Sequence, residues 1–128
     1  MLIVVDPSSG VPVFRQVMDQ VRFHIASGLL EAGDELPATR SLSAELGVNP
    51  MTISKAYNLL ERDGLLERRP GRPLVVKAFD PVELEFEKLD RLRDSLGEAV
   101  RAARLLGINP DEAIRVFRDL LDNREKED

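Results

Sequence analysis

The sequence predicts a mainly α-helical fold with one small β-hairpin, and three observations predict it. Apolar residues recur at i, i+3, i+4 and i+7 through most of the chain, the period of helices with one buried face. Glycines and Asn-Pro pairs punctuate these stretches where helices stop and start. Two short β-type runs flank the turn-forming segment Arg69-Pro70-Gly71-Arg72-Pro73. A chain of 128 residues, 43% hydrophobic and 32% charged, suits one domain with an appendage. It has no cysteine, which excludes a disulfide scaffold, a thiolate metal site and a cysteine nucleophile. No apolar run approaches the ~18 residues that span a bilayer. The opening MLIVVDPSSG lacks the basic start of a signal peptide. The expected location is therefore cytoplasmic, away from membranes.

The first element expected is a short extended strand, Met1 to Val5, closed by the turn chemistry of Asp6-Pro7-Ser8-Ser9-Gly10. Pro12 then opens a helix to about Ser27, with Phe14, Val17, Met18, Val21 and Ile25 on one face and Gly28 as its stop. This helix should support the next two, which are too short to close a core alone. His24 is the only histidine and lies beside the apolar stripe, so it reads as structural or solvated rather than as a ligand or base. Ala32-Gly33-Asp34 is a turn, and Leu36-Pro37 a short extended segment. The following helix starts weakly, because Ala38 cannot cap it. Thr39 or Ser41 would have to compensate for a deficit of up to ~1 kcal/mol.

Leu36 to Lys55 reads as two helices around a tight turn. The first spans Ala38 to Leu46 and ends at Gly47, a residue free to take positive φ. Val48 fills the turn, Asn49 is an N-cap and Pro50 suits the first helical position. The second helix spans 50–63 and ends at Gly64. Ile53, Ala56, Tyr57 and Leu60 mark its buried face. The opposite face carries Met51, Ser54, Lys55, Asn58 and Arg62, with Thr52 on the flank. That set is short, polar and weakly basic, with the size and chemistry to meet base edges and phosphates in a major groove. A helix-turn-helix is the functional reading; a plain αα-hairpin, built with the same turn grammar, is the alternative.

A hairpin follows over 65–76, with strands Leu65–Arg68 and Leu74–Val76. Set directly after a recognition-type helix, it is a wing. Arg68, Arg69 and Arg72 make its tip basic, which suits phosphates and narrow minor grooves; the plainer reading is a solvated turn. The net charge of −5 does not oppose this. Residues 1–79 hold nine Lys/Arg and nine Asp/Glu, whereas residues 80–128 hold nine and fourteen. A neutral half can bind DNA if its cations share a face.

Phe79-Asp80-Pro81 marks a boundary between a 1–79 domain and an 80–128 tail. From Val82 to Leu106 the stripe Val82, Phe86, Leu89, Leu92, Leu96, Ala99, Ala103, Leu106 is spaced 4, 3, 3, 4, 3, 4, 3, a near-heptad repeat on one long helix. Gly107 ends it. Asn109 caps a last helix whose apolar side is Ala113, Ile114, Phe117, Leu120 and Leu121, and NREKED should fray. LGINP at 106–110 echoes LGVNP at 46–50, but Asp111 and Glu112 would face phosphates, so the echo is shared capping chemistry and not a second DNA-binding motif. Two helices leave an apolar strip uncovered, which predicts a two-fold dimer through Phe86, Leu89, Leu92, Leu96, Ala99, Ala103, Leu106, Phe117 and Leu121. The alternative is that the stripe folds back on the first domain. Fewer than fifty residues leave little room for an enclosed ligand cavity of ~300 Å³.

The segment PVFRQVMDQVRFHIASGLLEAGDELPATRSLSAELGVNPMTISKAYNLLERDGLLERRPGR resembles the winged helix-turn-helix domain of the GntR family of bacterial transcription regulators. IASG, GDELP, Arg40, LGV, LERDGLLERR and the Gly-Arg tip occur in the family's order over residues 12–76, and Asn49 to Tyr57 is similar to the YtrA-type branch. The resemblance implies a fold of three helices plus a two- to three-stranded wing, followed by a short helical dimerisation tail. It also implies DNA contacts by Arg40, Asn49, Thr52 and Lys55, and by Gly71 and Arg72 at the wing tip. Met51, Ser54 and Arg69 lie on the same surfaces and complete the expected set. Pro50 stands where many members carry an arginine. Met51 replaces a frequent small polar residue, and its thioether offers apolar contact only. Pro73 stiffens the wing.

The expected function is thus a homodimeric, sequence-specific regulator, a repressor of an inverted-repeat operator, with a transporter operon as the kind of target the resemblance implies. A winged-helix module that binds protein and not DNA is the alternative. An enzyme is the poorest reading, because the chain has no nucleophile–base set, no Gly-rich phosphate loop and no metal-ligand spacing. No cofactor is expected. A small-molecule effector is left open, in a cleft between domain and tail or at the dimer interface.

Overall fold

Among the described residues every helix but the second begins at or just after a proline, and every helix but the last ends within two residues of a glycine. The computed structural model describes residues 2–127, with side chains through residue 123. In order it contains α1 (Val13–Ala26), α2 (Thr39–Leu46), α3 (Pro50–Arg62), β1 (Leu66–Glu67), β2 (Val75–Val76), α4 (Pro81–Leu105) and α5 (Pro110–Glu127). Two compact units result, one ending at Arg91 and one beginning at Leu92, so their division falls inside α4.

In the first unit α1 and α2 both pack on α3. Val17, Val21 and Ile25 of α1 meet Leu42 of α2 and Ile53, Ala56 and Leu60 of α3 in one cluster, which Leu65, Leu66, Leu74 and Val76 of the hairpin extend. Every residue assigned to the α3 buried face is buried. Truncating a fully buried leucine here would cost about 2–5 kcal/mol.

The wing is antiparallel, pairing Leu66 with Val76 and Glu67 with Val75. Its strands are shorter than the sequence suggested. A third strand is present only as the Glu35–Val75 bridge. The Leu36 amide donates to the Leu74 carbonyl at 2.8 Å and the Val76 amide to the Asp34 carbonyl at 2.9 Å. The segment leading into α2 is thereby stitched to the hairpin. At the tip the Arg72 amide donates to the Arg69 carbonyl at 3.1 Å, and Gly71 has φ +68°. With Pro70 at the second position, this is a type II turn, which requires the positive φ.

Two expectations are corrected. Residues 2–5 form no strand. The Gln20 side-chain amide instead accepts from the Val4 amide and donates to its carbonyl, at 2.9 and 2.6 Å, and the Gln16 amide does the same for Asp6, at 2.8 and 2.9 Å. These glutamines replace a neighbouring strand and hold Ile3 in the core; Met1 lies outside the described residues. At the start of α2 neither Thr39 nor Ser41 supplies a side-chain cap, so the weakness at Ala38 stands. The last helix runs through the segment expected to fray as far as Glu127, and Asp128 lies outside the described residues.

The opening turns of α4 belong to the first unit, and they dock by a polar face. Arg22 of α1 bridges Asp63, the C-cap of α3, and Glu87 of α4, the latter at 3.8 Å. Arg91, itself buried, faces Glu87 at 3.4 Å and Asp19 at 3.8 Å. Phe86 remains 66% exposed, and Val82 and Leu89 are also exposed. In the second unit the later turns of α4 and α5 enclose one side of an open apolar groove of about 640 Å³, lined by Leu96, Ala103, Ile114 and Phe117 among others. Leu92, Ala99, Leu106 and Leu121 are exposed.

Candidate nucleic-acid interface

The joint between α2 and α3 is made by backbone geometry. Gly47 takes φ 68°, and both its amide and that of Val48 return to the Ser43 carbonyl. A side chain at Gly47 would be strained by that φ. Asn49 then caps α3, its Oδ1 accepting from the Met51 amide at 2.8 Å, with Pro50 at the first helical position. Tyr57, on the buried side of α3, donates its hydroxyl to the Pro37 carbonyl at 2.9 Å. Burial raises its phenol far above the ordinary tyrosine range. The entry to α2 is therefore tied both to the wing and to α3.

These ties leave one face of α3 open. Met51, Lys55, Asn58 and Arg62 form an exposed row at i, i+4, i+7, i+11, and Thr52 and Ser54 sit half-buried at its edges. The Lys55 ammonium lies 4.0 Å above the centre of the Phe14 ring of α1, a cation–π contact that holds it. Arg40 is exposed in the first turn of α2. On the wing Arg69 pairs with Glu67 at 3.6 Å and Arg68 with Glu61 at 3.5 Å. Arg72 is exposed beside Gly71 and makes no ion pair with another described residue. Of the residues singled out in sequence, Asn49 to Lys55 share the start of α3, Arg69 to Arg72 share the wing tip, and Arg40 stands on α2. The roles of Tyr57 and Phe14 as supports were missed. The signal available was that a lone tyrosine on an apolar face needs a hydroxyl partner. His24 is structural as expected, its Nε2 lying 2.8 Å from the Leu2 carbonyl oxygen. Among the described residues no group of His, Cys, Asp or Glu could hold a metal ion.

The model of bacterial regulatory proteins of the gntR family matches residues 14–76, from the start of α1 to the end of β2. The transcriptional repressor YtrA of Bacillus subtilis is 31% identical over 107 residues, 84% of this chain and 82% of that protein. The chain belongs to the GntR family. As a GntR protein it is a DNA-binding transcription regulator and not an enzyme. The regulator Rv1152 of Mycobacterium tuberculosis is 31% identical and covers 93% of each chain. A GntR regulator from Listeria monocytogenes shares the fold with TM-score 0.75 and 28% identity, over 90% of this chain and 98% of that one. The DNA-binding domain of AraR, solved in complex with operator ORX1, matches 59% of this GntR chain and 94% of its own length, with TM-score 0.52 and 27% identity. No helix of the described residues is long and apolar enough to cross a membrane.

Proposed function

We propose that the protein is a homodimeric repressor that reads an inverted-repeat operator, each α3 entering a major groove and each wing tip lying over the adjacent backbone or minor groove. One observation carries this reading: the open row Met51, Lys55, Asn58, Arg62 on α3, next to the wing, in a fold shared with a domain solved on its operator. Arg40, Lys55, Arg69 and Arg72 serve phosphates. Thr52, Ser54 and the free donor group of Asn49 serve base edges. Gly71 lets the wing backbone approach closely. The repressor role follows that of YtrA, and a transporter operon is the target class the family resemblance implies.

The dimer is supported by the exposure of the stripe on α4 and α5. The polar side of α4 is the side that docks, so Val82, Phe86 and Leu89 point away from α1. A second copy is the simplest cover for them. Half-sites would then stand about one turn, ~10 bp, apart.

The test is selection of bound duplexes from a random library at two salt concentrations, together with sedimentation of the free protein. The expected result is an enriched palindrome, a steep salt dependence and a dimer. A folded protein that enriches no sequence overturns the operator reading, and a monomer overturns the dimer.

A further inference from the structure

The geometry points to Met51 as a reader of the C5-methyl group of thymine. This rests on the reading that α3 enters a major groove. Met51 is 77% exposed and is the one large apolar side chain, among the described residues, in the open row of α3. It stands in the first turn, and first-turn residues of a recognition helix are the ones that meet base edges. A thioether has no donor and is a poor acceptor, so it gains by displacing water from an apolar group. In the major groove the apolar group presented by an unmodified base edge is the thymine methyl.

The neighbours of Met51 sharpen the assignment. Asn49 would ordinarily compete for this role by pairing with adenine through acceptor and donor together. Its Oδ1 is held on the Met51 amide at 2.8 Å, so one of its two lone pairs and the orientation of the amide are committed to the cap. Pro50 carries no donor at all. Within the first turn of α3, apolar contact with a base edge therefore falls on Met51, beside the hydrogen-bonding groups of Thr52 and Asn49.

The experiment uses the full chain and the duplex it enriches, with each thymine replaced singly by deoxyuridine, which removes only the methyl group. One thymine per half-site should lose about fourfold in affinity on that exchange, the worth of one buried methyl. Met51→Ala should bind the thymine duplex more weakly and be indifferent to uracil at that position. Met51→Leu, still apolar, should keep the preference. Circular dichroism should find all three chains equally helical, since the side chain is exposed. A flat thymine–uracil series with wild type, half-sites that contain no thymine, or an equal loss in Met51→Ala would overturn the inference while leaving the operator reading intact. Failure to enrich any duplex would overturn both.

Discussion

Asn49 and Tyr57 each spend one polar atom on the fold before any is available to DNA. The Asn49 oxygen caps α3 and its NH2 group is left over. Asn49→Ala should therefore cost about 1 kcal/mol of stability in urea unfolding. Asn49→Asp separates the two roles, because a carboxylate caps at least as well but donates nothing and repels phosphate. We expect it to restore stability while operator affinity falls; wild-type affinity in that variant would reduce Asn49 to a cap. Tyr57→Phe removes the donor to the Pro37 carbonyl. The expected loss is about 1 kcal/mol in the same assay, with the DNA-facing row unchanged. The cap at Asn49 was legible in sequence, because Asn-Pro before an apolar period has one local meaning. The partner of Tyr57 was not, because it lies twenty positions away and depends on how α2 enters.

Among the elements, α3, α4 and α5 start alike. Asn49-Pro50, Asp80-Pro81 and Asn109-Pro110 each place a side-chain oxygen on a first-turn amide, at 2.8, 2.8 and 2.9 Å. The echo of LGVNP and LGINP is thus capping chemistry, as read from the sequence. Asp80 is the cap that titrates. Hydrogen bonding, first from the Glu83 amide, holds its carboxyl below the ordinary 3.8. A carboxylate with a lowered folded pKa stabilises fully above its unfolded value and loses that contribution as pH falls through the folded one. Wild type should therefore shed this part of its stability below about pH 4. Asp80→Asn, which caps without titrating, should flatten that limb in thermal melts across the same range. The α4 stripe was legible from its spacing, but the face that docks was not. Glu87 and Arg91 look like ordinary solvated charges until Arg22, Asp19 and Asp63 are brought to them by the fold. Glu87→Ala strips two buried or half-buried arginines of a partner, and we expect a loss of ~2 kcal/mol, read by urea unfolding. The N-terminal segment failed for a similar reason. Its apolar run predicts extension, but only tertiary placement decides whether a strand or two glutamine side chains take its hydrogen bonds.

At the scale of the whole molecule the question is what covers the apolar side of α4. A helix that docks through charges and turns Phe86 and Leu89 to solvent has its polarity reversed relative to an ordinary surface helix. That arrangement is stable in water if a further apolar surface meets it, and a second copy presents a matching one by symmetry. Phe86→Glu combined with Leu89→Glu puts charge on that face without touching the core of the first unit. We expect the double variant to sediment as a monomer, to keep its helical circular dichroism, and to lose about 10²–10⁴ in operator affinity, because the second half-site no longer binds as an intramolecular event. Its dependence on salt should also fall to about half the wild-type slope, since one winged domain now neutralises half as many phosphates. Loss of affinity at an unchanged slope would instead mean damage to contacts within one half-site. A variant that stays dimeric would mean that another face joins the two copies, so the pair of readings assigns the effect to assembly or to the DNA surface.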